Sequence, residues 1–346
     1  MPTTPTTHTR IHRLARLEDW FIAVRARISS ATGHVPTVIG FRGFGTTEKV
    51  RILARLLFVH PDPSTRKVRK VVRGWRAFTS VPVANHKVKI SVGGRSFTVS
   101  SDRGGVIDAE LDMSLDPGWH DIEMLATEDG GWTHTELLVI RPNTKVGIVS
   151  DIDDTVMVTY LPRLFLAGWN TFVLDENARR PVPGMPVLLN KIAGHYDDAP
   201  TVYLSTGPWN VAPTLERFLS RHMYPKGPLL LTDWGATPER AFRSGREHKS
   251  SSLERLAHDF PDVKWVLVGD DGQHDETIYG NFARDYPKNV LAVAIRRLST
   301  PEAVLAGARL QHPKPTPGVP WVYGHNGAEL AEQLQYLGLL GGTLRH

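Results

Sequence analysis

The sequence predicts an α/β protein built on a parallel sheet, preceded by a β-sandwich-like domain and an N-terminal amphipathic helix, and three changes in residue pattern predict it. Apolar residues recur first at spacings of three and four. Short β-branched runs between turn residues follow, and then apolar strands alternating with helical segments. At 346 residues the chain is long enough for two domains, each with its own core.

The first pattern spans residues 10–28, where Ile11, Leu14, Leu17, Phe21, Val24 and Ile28 share one helical face and Arg10, Arg13, Arg16, Arg25 and Arg27 stand off it. Such a helix docks its apolar stripe on a neighbouring domain, the favoured reading, or lies on an anionic membrane. Residues 1–35 are therefore read as a tail and basic helix. The second pattern runs from 36 to 142, with strands expected at 50–59, 75–80, 88–92, 96–99, 106–111, 120–126 and 133–140. Gly93-Gly94, Gly104-Gly105 and Asp116-Pro117-Gly118 supply turns. This spacing suits a β-sandwich-like domain, and it carries no catalytic motif.

The third pattern follows Arg141-Pro142-Asn143 and fills residues 143–311. Strands are expected at 146–149, 201–204, 228–231, 264–268 and 290–295, with helices at 211–222, 250–259 and 276–286. The stretch between the first two strands exceeds a usual connection and is read as a small cap over about 156–199. Its apolar residues, among them Leu164, Phe165, Trp169 and Phe172, suit an acyl chain or, preferably, packing of the cap on the sheet. The proline-bearing tail from 312 to 346 is read as partly extended.

Composition excludes several classes. Cysteine is absent, which removes disulfides, thiolate catalysis and cysteine-held metals and fits a reducing compartment. No apolar run approaches the roughly 20 residues of a membrane span, and the N-terminus lacks the pattern of a signal peptide. A cytoplasmic protein, peripheral at most to a membrane, is expected. The net charge of +5 is unevenly spread: residues 1–80 hold 15 Lys and Arg against 4 Asp and Glu, a net +11, leaving −6 over the remainder. A basic end attracts anionic membrane, nucleic acid or acidic protein, or simply forms a solvated face. A nucleic-acid partner is not expected, since no aromatic-basic motif supports it, and no phosphate-cradling loop for triphosphates is present.

The chemistry concentrates at strand ends. Asp151, Asp153 and Asp154 follow the apolar run 146–149, where open α/β sheets bind ligands. Three carboxylates in four residues repel one another unless a cation or protons compensate; a divalent metal is the economical explanation, and oxygen-only ligands favour magnesium. Ser205 and Thr206 end a second strand and suit a phosphate oxygen near a helix start. Lys249 stands where the helix 250–259 opens, and Asp270, Asp271 and Asp275 close a third strand. Singly, these residues read as an N-cap, a surface cation and turn formers. Jointly they describe a phosphoryl-transfer site. Trp209 and Asn210, just beyond Ser205, are candidates for substrate contact or for packing at a helix start.

In this order the motifs resemble the haloacid dehalogenase superfamily. The segments Asp151-Ile152-Asp153-Asp154-Thr155-Val156, Leu204-Ser205-Thr206-Gly207-Pro208-Trp209-Asn210, Arg246-Glu247-His248-Lys249 and Gly269-Asp270-Asp271-Gly272-Gln273 are similar, more narrowly, to the catalytic domain of the actin-patch-associated phosphatidate phosphatase family. The resemblance implies a haloacid dehalogenase-like Rossmannoid sheet with a small cap. It implies a magnesium-dependent phosphomonoesterase that converts phosphatidate to diacylglycerol through an aspartyl-phosphate. Asp151 would be the nucleophile and Asp153 the acid and base, with Ser205 and Lys249 on the transferring group. Magnesium would be held by the Asp151 side chain, the Asp153 backbone carbonyl and the Asp270 side chain. Thr206 joins Trp209 and Asn210 as a substrate-binding candidate. Thr206-Gly207 and Asp271 stand where related sequences often carry serines, which bears on substrate fit and metal geometry. Whether Asp271 or Asp275 adds a ligand stays open, as do two other functions: a phosphatase for a soluble ester, and a catalytically silent membrane-binding scaffold.

Overall fold

The structure is a computed structural model and describes residues 33–59, 81–128, 131–158, 180–232, 238–272, 274–299 and 317–341. The expected helix at 10–28 and strand at 75–80 lie outside the described residues, as does the apolar stretch 159–179 of the expected cap.

The β-rich half contributes β1 (Val35–Gly45), β2 (Lys49–Val59), β3 (Val81–Pro82), β4 (Lys87–Val92), β5 (Arg95–Ser100), β6 (Val106–Asp112), β7 (Gly118–Leu125) and β8 (Thr133–Val139). They form one continuous sheet in the order β3-β2-β1-β8-β7-β4-β5, with β6 also paired to β2. The expected sandwich is thus realised as a single hydrogen-bonded sheet. Its strands alternate inward and outward: in β4, Val88, Ile90 and Val92 are buried between exposed or half-exposed neighbours, the period that sheet geometry imposes. By compactness the described chain falls into two units, one of residues 33–41, 52–109 and 120–136, the other of 42–51, 110–119 and 137–341. Ile52, Leu56, Val88, Ile90, Ile107, Ile122 and Met124 form the core of the first.

The second unit continues with β9 (Val146–Asp151), β10 (Met157–Val158), β11 (Arg180–Pro181), α1 (Met185–His195), β12 (Thr201–Pro208), α2 (Ala212–Arg221) and β13 (Leu229–Thr232). After these come α3 (Pro238–Asp259), β14 (Lys264–Asp270), α4 (Asp275–Asp285), β15 (Val290–Arg296), β16 (Trp321–Gly324) and α5 (Gly327–Tyr336). Six strands make a parallel sheet in the order β13-β12-β9-β14-β15-β16. Each expected strand of this half is present, and β9 is buried along its whole length, as the centre of a sheet covered on both faces requires. Trp265 of β14 pairs with Gly147 of β9 and lays its ring where a Cβ at 147 would stand. Only glycine leaves room for that indole.

Three features differ from the expectation or extend it. Lys249 does not open its helix: α3 begins at Pro238, where a first-turn proline costs no hydrogen bond, and Lys249 sits in its middle. Residues 185–195, inside the span read as a cap, form a helix that packs against β9 and α5 through Met185, Leu188, Leu189 and Ile192. Residues 321–336, in the segment read as a partly extended tail, supply an edge strand and a helix capped by Asn326, whose side chain accepts from the amides of Ala328 and Glu329.

Candidate active site

Strand register assembles the site. Asp151 pairs with Leu204 across β9 and β12, and Ser150 with Val268 across β9 and β14, so Asp151, Ser205 and Asp270 meet at one carboxyl edge. From β9 the chain goes first to β12 on one side and only later to β14 on the other. That edge is therefore the switch point where such sheets open a ligand crevice.

Each element brings its side chain by a local device. After β9 the chain turns tightly: the amides of Thr155, Val156 and Met157 all donate to the carbonyl of Ile152, and Asp154 takes a φ of 59°, a left-handed state that Asp tolerates better than most residues. In β12 the ladder to β13 slips between Leu204 and Pro208. The hydroxyl of Thr232 donates to the carbonyls of Thr206 and Gly207, which satisfies this bulge. The Ser205 hydroxyl accepts from the amide of Gly207 and donates to Asp153 Oδ2, both at 2.9 Å. Bulges commonly re-aim a side chain beside a site, and here the result is a fixed acid.

Helix α3 carries Lys249 on the stripe of Ser252, Leu253, Leu256 and Ala257, all buried at spacings of three and four. The residue is only 1 % exposed, and its ammonium donates to Asp151 Oδ1 at 2.7 Å and to Asp275 Oδ1 at 2.5 Å. Asp275 opens α4, and its other oxygen accepts from the amide of Asp270 at 3.4 Å. Gly269 makes this approach possible, since a Cβ there would stand 2.7 Å from both Asp275 Oδ2 and the Tyr279 ring. Asp271 points elsewhere: its carboxylate accepts from the amide of Leu298 at 2.9 Å and its amide donates to the carbonyl of Arg296. Of the two acids left open by the sequence, Asp275 joins the cluster and Asp271 closes a loop.

Asp151, Asp153, Ser205, Lys249 and Asp270 are thus brought together, all buried. Of the substrate-contact candidates, Trp209 is buried, while Thr206 and Asn210 are half-exposed. The Thr206 side chain faces Gly245 of α3 closely enough that a Cβ there would lie 3.0 Å away.

The electrostatics are unbalanced. Burial raises the Asp151 pKa well above the usual carboxylate range, assisted by the charges of Asp275 and Asp153 and opposed by Lys249. Burial alone would lower the Lys249 pKa, but Asp151 and Asp275 outweigh it and hold the ammonium charged. Lys249 meets the carboxylates of Asp151 and Asp275, with Asp153 and Asp270 buried beside them, and a divalent cation is a direct way to keep Asp151, Asp270 and Asp275 ionised together. The donor set fits a hard divalent ion: Asp151, Asp270 and Asp275 each offer an oxygen, all within 4.8 Å of one another, and Asp151 Oδ2 is buried with no hydrogen-bond partner among the described residues. Carboxylate-only ligation favours magnesium over softer metals. The carboxylate of Asp153 is not in this set, being held by Ser205.

Comparison with known proteins concentrates on this unit. Residues 146–297 match the family model of the phosphatidate phosphatase APP1 catalytic domain. Phosphatidate phosphatase APP1 of Saccharomyces cerevisiae is 28 % identical over 152 residues, covering 44 % of this chain and 26 % of that protein. An uncharacterized protein of Schizosaccharomyces pombe is 28 % identical over 155 residues, 44 % of this chain and 25 % of its own. The resemblance implied by the motifs is therefore shown over this region, and the match spans about a quarter of each relative's length. Among solved structures, a carbohydrate acetylesterase from Xanthomonas citri aligns over 87 % of this chain and 75 % of its own at 11 % identity, with a TM-score of 0.30, too low to carry an argument.

Proposed function

We propose that this chain is a magnesium-dependent phosphomonoesterase of haloacid dehalogenase type that works through an aspartyl-phosphate, with phosphatidate as its substrate. The observation that carries the reading is Asp151 itself. It stands buried at the carboxyl end of the central strand, one oxygen held by Lys249 and the other without a hydrogen-bond partner among the described residues, beside Asp270 and Asp275. The choice of phosphatidate follows from the likeness of residues 146–297 to the APP1 catalytic domain.

In this reading the carboxylate of Asp151 attacks phosphorus in line while the ester P–O bond breaks. The carboxyl of Asp153 gives its proton to the departing alcohol oxygen. The Asp153 carboxylate then takes a proton from water as that water attacks the phosphoenzyme, the bond between phosphorus and Asp151 breaks, and phosphate leaves. Ser205 keeps Asp153 aimed and offers its hydroxyl near the transferring group, and Lys249 restrains Asp151 and stabilises the developing charge. Such a preorganised donor is worth about 3 kcal/mol in the transition state. Bound by the side chains of Asp151, Asp270 and Asp275 and the backbone carbonyl of Asp153, magnesium would supply the positive charge that lets an anionic nucleophile meet an anionic phosphate.

Metal binding is expected to show in stability. Magnesium at ~100 times its dissociation constant adds about 2.7 kcal/mol, read as a rise in melting temperature over the chelator-treated protein. Asp270→Asn should lose most of that rise, while Asp271→Asn, whose parent carboxylate is spent on Leu298, should keep it. An equal rise in all three proteins would sink the assigned ligand set.

The substrate is tested by phosphate release from phosphatidate in mixed micelles beside a panel of soluble phosphomonoesters. Faster release from phosphatidate supports the lipid reading, and preference for a soluble ester keeps the chemistry and overturns the substrate. Among the described residues no helix is long and apolar enough to cross a membrane. The +11 charge of residues 1–80 would instead bring the enzyme peripherally to anionic vesicles, and failure to co-sediment with them at low salt would reject that contact.

A further inference from the structure

One buried arginine outside every motif joins the two acidic loops of the site. Arg296 ends β15, paired with Asp270 of β14 on one side and Gly324 of β16 on the other. Its side chain is buried. Nη1 donates to the carbonyl of Asp154 at 2.7 Å and Nε to the carbonyl of His325 at 3.3 Å, while its own carbonyl accepts from the amide of Asp271 at 3.0 Å. A buried guanidinium must have its donors engaged, and because the fork is rigid, a carbonyl at its tip is fixed in direction as well as distance.

That carbonyl lies at the most constrained point of the site. Asp154 is in the left-handed state, its amide donates to the carbonyl of Met157 at 2.8 Å, and the hydroxyl of Tyr224 holds the carbonyl of Val156 at 2.6 Å. A residue held in such a state persists only where its surroundings over-determine it. Asp153 directly precedes it, so the direction of the Asp153 carboxylate toward Ser205 depends on the turn that Arg296 grips.

We infer that Arg296 is a positioning residue for Asp153: by clamping the Asp154 carbonyl it holds the turn that aims the acid and base at the transferring group. The inference rests on the phosphatase reading for its catalytic consequence. It also assigns a part to the C-terminal segment, because the carbonyl of His325, beyond the region that matches the family model, anchors the guanidinium.

The test compares wild type with Arg296→Met and Arg296→Lys in steady-state kinetics on an ester that the wild type hydrolyses, alongside melting temperature and hydrogen exchange of the peptide spanning residues 150–158. The Met variant is expected to lose ~100-fold in kcat with KM within about twofold and to exchange faster in that peptide, with Lys recovering part of the loss. A kcat within about threefold of wild type together with unchanged exchange overturns the inference, and so does a lower melting temperature with kcat per folded molecule unchanged. If the Met variant does not fold, the Lys variant decides: reduced kcat at wild-type melting temperature supports the clamp and wild-type kcat rejects it. Should the wild type hydrolyse no ester, the phosphatase reading fails separately, and exchange in the variants still decides whether Arg296 holds the turn.

Discussion

Asp151→Asn is expected to lower magnesium-dependent phosphate release by ~10⁴-fold or more while leaving the melting temperature unchanged or raised. The loss follows from chemistry: a carboxamide is a poor nucleophile toward phosphorus, and in the proposed mechanism the neighbouring acids have other tasks, Asp153 in proton transfer and Asp270 on the metal. The retained stability follows from the charge balance. Asn keeps the volume of Asp, and its amide oxygen can still accept from Lys249, now 2.7 Å from Asp151 Oδ1. The substitution also removes one negative charge from a buried cluster in which burial and neighbouring acids already oppose ionisation. Paired measurement of turnover and thermal melting checks both halves. Turnover within tenfold of wild type would point to another nucleophile, and a large fall in stability would mean that the carboxylate is a structural partner rather than a reactive one.

Lys249→Met is expected to destabilise the chelator-treated protein by roughly 3–5 kcal/mol, because removing one member of a buried ion cluster leaves the others uncompensated. The methionine fills most of the same space, so little of the loss comes from a cavity. Asp151 and Asp275 both accept from this one ammonium, and adding Asp275→Asn to the Met variant should recover part of the stability. The recovery, read as a coupling energy in denaturant unfolding, should exceed 1 kcal/mol. A loss below 1 kcal/mol in the single variant would show that the acids are neutral at rest and that the ammonium is not their counter-charge. Activity should disappear with the lysine in either background, since Lys249 both restrains Asp151 and faces the transferring phosphoryl group in the proposed mechanism.

The parallel half was legible because its signals are local. A strand buried on both faces must be apolar throughout, so β9, β12, β14 and β15 stand out as runs, and an acid that ends such a run is conspicuous. Most of the β-rich half was legible as strands, β2 and β4 to β8, through alternation and turns, but β1 at Val35–Gly45 was missed. How those strands join is set by pairing between residues far apart, and the single sheet with β1 parallel to β8 has no counterpart in the spacing. The start of α3 was missed because the charged stretch before Lys249 lacks an apolar stripe, although Pro238 is a first-turn signal. The strand at Trp321–Gly324 was missed because four residues that follow a proline and end in a glycine are too short to show a period.

The sequence by itself determined which residues gather at the candidate site and the order in which they come: Asp151 and Asp153 after one strand, Ser205 after the next, then Lys249 and Asp270. Residue type and strand end are properties of a few neighbouring positions, and these are written in the chain. Only the tertiary structure decided that Asp275 rather than Asp271 enters the cluster, that Lys249 bridges two acids from mid-helix, and that Arg296 reaches across the sheet to Asp154. Each of those choices depends on strand register and helix direction, which place side chains from 26 to 142 residues apart within hydrogen-bond distance.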